Sequence, residues 1–149
     1  FLNIYIMKQN TFSTLFTILL LALFSCKSEA QTTKNVGVST GTSLEVIDFH
    51  NTHRCKTCLA IENAAKEVLY SDFSAAMQSG KITFRTVDVD ESANAKIAEK
   101  FKAAGSALFI YNPKTGNAVD MTDFAFTYVL SDLAKFKAGF KTAVQNALK

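Results

Sequence analysis

Two cysteines three residues apart, Cys55 and Cys58, sit where an apolar β-prone run, Leu44 to His50, gives way to a helical pattern. Positions i and i+3 share one helix face, so the two thiols can close a small disulfide without distorting the backbone. As a staple the pair is poor: a four-residue loop constrains the unfolded chain by roughly 2 kcal/mol, against about 3 for a 15-residue loop. Its chemistry is better suited to exchange. A thiolate at a helix N-terminus meets unpaired N–H groups and the positive end of the helix dipole, an effect of about 0.3 to 2 kcal/mol. Arg54 and Lys56 are expected to push the same way, which makes Cys55 the nucleophile and Cys58 the resolving thiol.

The 149 residues and 48% hydrophobic content leave room for one compact domain. The net charge of +3 comes from interleaved cations and anions, and no basic run or aromatic-interleaved patch suggests nucleic acid. Met7-Lys8 opens an export signal: one cation, an uncharged stretch from Thr11 to Phe24, then small residues. Residues 1–25 are therefore read as a signal peptide, with Phe1 to Ile6 expected upstream of the true start. The apolar stretch is short of the ~20 residues that span a bilayer. Leu23-Phe24-Ser25-Cys26 resembles a bacterial lipobox, in which Cys26 is lipidated and becomes the first mature residue. Cleavage after Ser28-Glu29-Ala30, which gives a soluble exported protein, and an uncleaved anchor are the other readings. With Cys26 carrying lipid, Cys55 and Cys58 are the only cysteines of the mature domain. That is no disulfide framework, and the pair stays free for exchange.

Residues 26–42, rich in Ser, Thr, Lys and Gly, read as a tether, and 43–149 as the folded domain. After the strand at 44–50 and the loop Asn51 to Arg54, a helix is expected from about Cys55 to Tyr70, with apolar positions Cys58, Ile61, Ala65 and Val68. A second helical stretch, Phe73 to Met77, stops at Ser79-Gly80. A strand from Ile82 to Val89 precedes a helix capped by Ser92 and ending at Gly105. Ala107 to Tyr111 is the third strand, Asn112 to Asn117 a hairpin turn, and Ala118 to Met121 the fourth strand. From about Phe126, the residues Val129, Leu133, Phe136, Phe140, Val144 and Leu148 mark one long amphipathic helix. The order is βαβαββα: an α/β fold with a mixed four-stranded sheet flanked by helices.

A CxxC at the mouth of the helix after the first strand, followed by βαββα, resembles the thioredoxin-like superfamily from about Leu44 to Lys149. Within it, Phe49-His50, then Arg54-Cys55-x-Thr57-Cys58 and Glu62, resemble small exported bacterial proteins named as the nitrophenyl compound nitroreductase subunit ArsF family. The resemblance implies a redox-active Cys55–Cys58 pair with no organic cofactor, and its name suggests a link with nitroreductase or arsenic-resistance systems. This chain departs from the thioredoxin pattern in two ways. Arg54 and Lys56-Thr57 replace the usual Trp and Gly-Pro, and the cis-proline expected near Ser106 is missing, since the sole proline is Pro113.

Around the pair, His53 is a candidate proton shuttle for Cys55, and His50 could face the same pocket. Asp48, if buried, could accept the Cys58 proton. Glu62 is either a local acid or an i,i+4 partner of Lys66. The function expected is thiol–disulfide exchange with an envelope protein that carries a disulfide or dithiol. The domain would be a monomer on the periplasmic side, attached to the membrane through Cys26. The same residues also allow a module that captures zinc, copper or arsenite through Cys55, Cys58 and His53, or a non-catalytic redox subunit of a nitroreductase-type system.

Overall fold

The computed structural model describes Gly41 and residues 43–149. The export signal over 1–25, Cys26 and, apart from Gly41, the tether to residue 42 lie outside the described residues.

Strand β1 (Leu44–His50) forms because Leu44, Val46, Ile47 and Phe49 are apolar and β-prone, and all four are fully buried. It pairs in parallel with β2 (Ile82–Asp88) and antiparallel with β3 (Ala107–Tyr111). The short β4 (Ala118–Asp120) pairs antiparallel with β3, so the sheet order is β2-β1-β3-β4. This mixed four-stranded sheet, flanked by helices, is compatible with the thioredoxin-like α/β fold expected from the sequence.

Successive side chains of a strand point to opposite sheet faces, and β1 divides its apolar residues accordingly. Leu44 and Val46, with Leu108 and Ile110 of β3, pack against α1 (Lys56–Asp72) and α5 (Leu133–Ala147). Ile61, Ala65, Val68 and Leu69 of α1 and Phe136, Phe140 and Val144 of α5 supply the helical side of that core. Ile47 and Phe49 go the other way, onto Phe101, Ala103, Phe109 and Val87. There Phe101 tilts against Phe49 and Phe109 at centroid distances of 5.5 and 5.2 Å, close enough for favourable offset contacts. The core on the first face is larger, and Asp48 shares the parity of Leu44 and Val46, so its carboxylate is directed to the α1 side.

Three expected elements differ in the structure. The long C-terminal helix is two, α4 (Thr122–Tyr128) and α5. Asp132 breaks it, with non-helical backbone at φ -150° and ψ 80° and a carboxylate that accepts from the Lys135 N–H as an N-cap. The helix after β2 begins with a 3₁₀ turn over Ser92–Asn94, continues as α3 (Ala95–Phe101), and ends before Gly105. Lys102 takes the left-handed conformation at φ 54°, and the Ala103 N–H closes back onto the Ala98 carbonyl, which buries Ala103. Helix α1 runs to Asp72 and is followed by the one-turn α2 (Ser74–Gln78). The expected Asn112–Asn117 turn is present: the Asn112 N–H donates to the Asn117 carbonyl, and Gly116 provides the positive φ of 78°.

Candidate redox site

Cys55 is the N-cap of α1, with extended backbone, and its sulfur accepts a hydrogen bond from the Cys58 N–H at 3.0 Å. Few residues can cap a helix this way, since the side chain must reach back to an orphan N–H of the first turn. Cys55 and Cys58 are joined by a disulfide with a Cα–Cα distance of 5.1 Å. Cys55 is exposed and Cys58 is buried, at 6% relative exposure. The two sulfurs thus differ in access before any electrostatics are considered.

The loop that carries the pair is fastened to the loop after β2. The Asn51 side-chain amide and the Thr52 N–H donate to the two oxygens of Asp90, at 3.0 and 2.9 Å, while the Thr52 hydroxyl donates to Asp88 at 2.8 Å. These donors, the Thr52 N–H first, hold the Asp90 carboxyl below its ordinary value. The register of β1 against β2 sets His50 opposite Asp88, which brings the two loops together at the same sheet edge.

Behind the disulfide lies a charged cluster. Asp48 is the one buried charged residue among the described residues, at 3% exposure. The Arg54 guanidinium forks: one Nη donates to Asp48 at 2.8 Å, the other to Glu62, and Lys66 also pairs with Glu62. Burial pushes Asp48 up from 3.8 to about 6, against the lowering effect of the Arg54 charge and hydrogen bond. For Glu62 burial also raises the value, but the hydrogen bonds from Lys66 and Arg54 outweigh it and hold the carboxyl below its ordinary range. Two cations against two carboxylates make the cluster formally neutral. Arg54 is therefore engaged by carboxylates, a correction to the expectation that it acts as a free cation beside Cys55. Glu62 is held in the i,i+4 pair with Lys66.

His50 Nδ1 lies 3.0 Å from the Asn51 carbonyl oxygen, and the exposed His53 bears on Asp90 through its charge. Among the described residues, no three His, Cys, Asp or Glu side chains stand together as a metal-binding group. Ser106, where the resemblance would place a proline, donates its hydroxyl to Cys58 Sγ at 3.2 Å. Its position just before the third strand was legible; its hydrogen bond was not. Past Ser106, residues 101–107 line a cleft of about 370 Å³ that reaches Asp120, Thr122 and Asp123.

No protein-family model matches the chain, and no curated protein matches it. A solved chain titled "Structure of a malarial protein" is similar over 58% of this chain and 94% of its own, at 17% identity and a TM-score of 0.37. A likeness of that size carries no argument about fold or function.

Proposed function

We propose that the protein is an exported thiol–disulfide oxidoreductase. The observation that carries this reading is the asymmetry of the pair: an exposed sulfur capping a helix N-terminus, bonded to a buried one. Once the disulfide is reduced, the Cys58 N–H and the end of the α1 dipole favour a thiolate at Cys55.

In the reducing direction, the Cys55 thiolate attacks one sulfur of a partner disulfide. A Cys55–partner bond forms, and the other partner sulfur leaves as a thiolate. Cys58, deprotonated, then attacks Cys55 Sγ; the Cys55–Cys58 bond forms and the second partner sulfur leaves. Two electrons pass to the partner, which gains two thiols, and the same steps reversed oxidise a dithiol. No organic cofactor takes part. On this reading the partner is another envelope protein, and acyl chains on Cys26 hold the domain at the membrane surface, where several chains bind firmly and one does not.

Glutathione disulfide serves as the test. Cys58→Ser should hold glutathione on Cys55 as a stable mixed disulfide that dithiothreitol releases, and Cys55→Ser should hold far less. If the wild-type dithiol neither reduces insulin disulfides nor is oxidised by glutathione disulfide, the proposal is wrong.

A further inference from the structure

The resolving step asks for an anion on a buried sulfur. Burial favours the neutral thiol, so Cys58 has to be helped to ionise from its own surroundings. Its backbone N–H is committed to Cys55 Sγ. Arg54 is committed to Asp48 and Glu62, and Lys66 to Glu62. The donor aimed at Cys58 Sγ is the Ser106 hydroxyl, at 3.2 Å.

Ser106 is held in that place by the fold. Its neighbour Ala107 is in register with Phe49 of β1, and two residues on, Leu108 faces the α1 side of the sheet, the parity Ser106 shares. Gly105 runs close against the β1–α1 loop: a Cβ there would lie 3.3 Å from Asn51 Oδ1. A proline at this position would have no donor to offer.

We propose that Ser106 is a catalytic residue of the exchange reaction, its hydroxyl hydrogen-bonding the Cys58 thiolate as that thiolate attacks the mixed disulfide. The inference rests on the exchange reading. The serine keeps its proton throughout; the Cys58 proton leaves to solvent, the Cys58–Cys55 bond forms, and the Cys55–partner bond breaks. Hydrogen bonds to charged groups are the stronger kind, and losing one lowers the thiolate population by about tenfold or more. A more basic thiolate is a better nucleophile, with a Brønsted slope of about 0.4 to 0.5, so the net slowing is about three- to fourfold for a tenfold loss.

The test follows reduced protein mixed with glutathione disulfide by acid quench and mass spectrometry. In Ser106→Ala, the mixed disulfide should form at the wild-type rate and resolve about three- to fourfold more slowly at pH 7. The pH profile of resolution should move up by about one pH unit, and Ser106→Thr should restore both. Wild-type resolution in Ser106→Ala, or equal slowing of both steps, would overturn the assignment. A second measurement is independent of exchange: a pH titration of the Cys58 β-carbon by NMR in the reduced protein. There Ser106→Ala should shift the midpoint upward by about one pH unit, and an unmoved midpoint sinks the inference. If the wild type forms no mixed disulfide while that midpoint does shift, the exchange reading fails and the hydrogen bond stands.

Discussion

Replacing Asp48 by Asn should tilt the pH dependence of stability. The Asp48 carboxyl lies at about 6 in the folded protein, against an ordinary 3.8, because burial outweighs the pairing with Arg54. An acid whose folded value is raised binds more protons folded than unfolded between those two pH values. Its contribution to stability is therefore full below 3.8 and falls away as pH rises through about 6. At about 1.36 kcal/mol per pH unit, the whole displacement is worth about 3 kcal/mol, of which about 2 kcal/mol lies between pH 4 and pH 7.5. Asn does not titrate, so the wild type should lose about 2 kcal/mol relative to Asp48→Asn over that interval. The pH dependence of the ion pair is already contained in the folded value of about 6, so what else separates the two curves, the exchange of a neutral carboxyl for an amide, is a constant offset. Urea unfolding followed by far-UV circular dichroism, with the disulfide kept closed, measures the difference. Parallel curves, within about 0.5 kcal/mol from pH 4 to 7.5, would refute the assignment of a proton to buried Asp48.

Two further perturbations probe the scaffold. Arg54→Leu strips both carboxylates of their shared partner and should cost roughly 3 kcal/mol at pH 8 but clearly less at pH 5, where protonated Asp48 needs no cation. Arg54→Lys should recover only part of this, because an ammonium lacks the planar fork; denaturant midpoints at the two pH values read both effects. Gly139→Ala would ordinarily stabilise a helix by about 0.5 to 1 kcal/mol. Here the new Cβ would lie 2.3 Å from Phe124 Cζ, in a ring that also packs on Tyr128 and Phe136, so a lower melting temperature and a net loss of about 1 to 2 kcal/mol are expected.

Much of the fold could be read from local pattern. The apolar run at 44–50, the i, i+3 and i+4 spacing of Cys58, Ile61, Ala65 and Val68, and the Asn112–Asn117 turn each encode their element in consecutive residues. Where the structure departs from local pattern, signals compete. The apolar periodicity from Phe126 to Leu148 runs through Asp132, yet the carboxylate found the Lys135 N–H and started a new helix. Ser92 and Gly105 looked like a cap and a stop, but the backbone of Ala103 closed the helix earlier by burying its own side chain.

At the redox site, the sequence by itself determined that two thiols would share one helix face at the end of a buried strand, because that depends only on spacing and strand propensity. The tertiary structure decided which charges and donors meet them. Arg54 is next to Cys55 in the chain, but the sheet places Asp48 and the helix places Glu62 so that both carboxylates take up its guanidinium. Ser106 is 48 residues from Cys58, and only the pairing of β3 with β1 brings its hydroxyl to the buried sulfur. Charge and hydrogen-bond partners of a buried group are set by long-range packing, which no local pattern records.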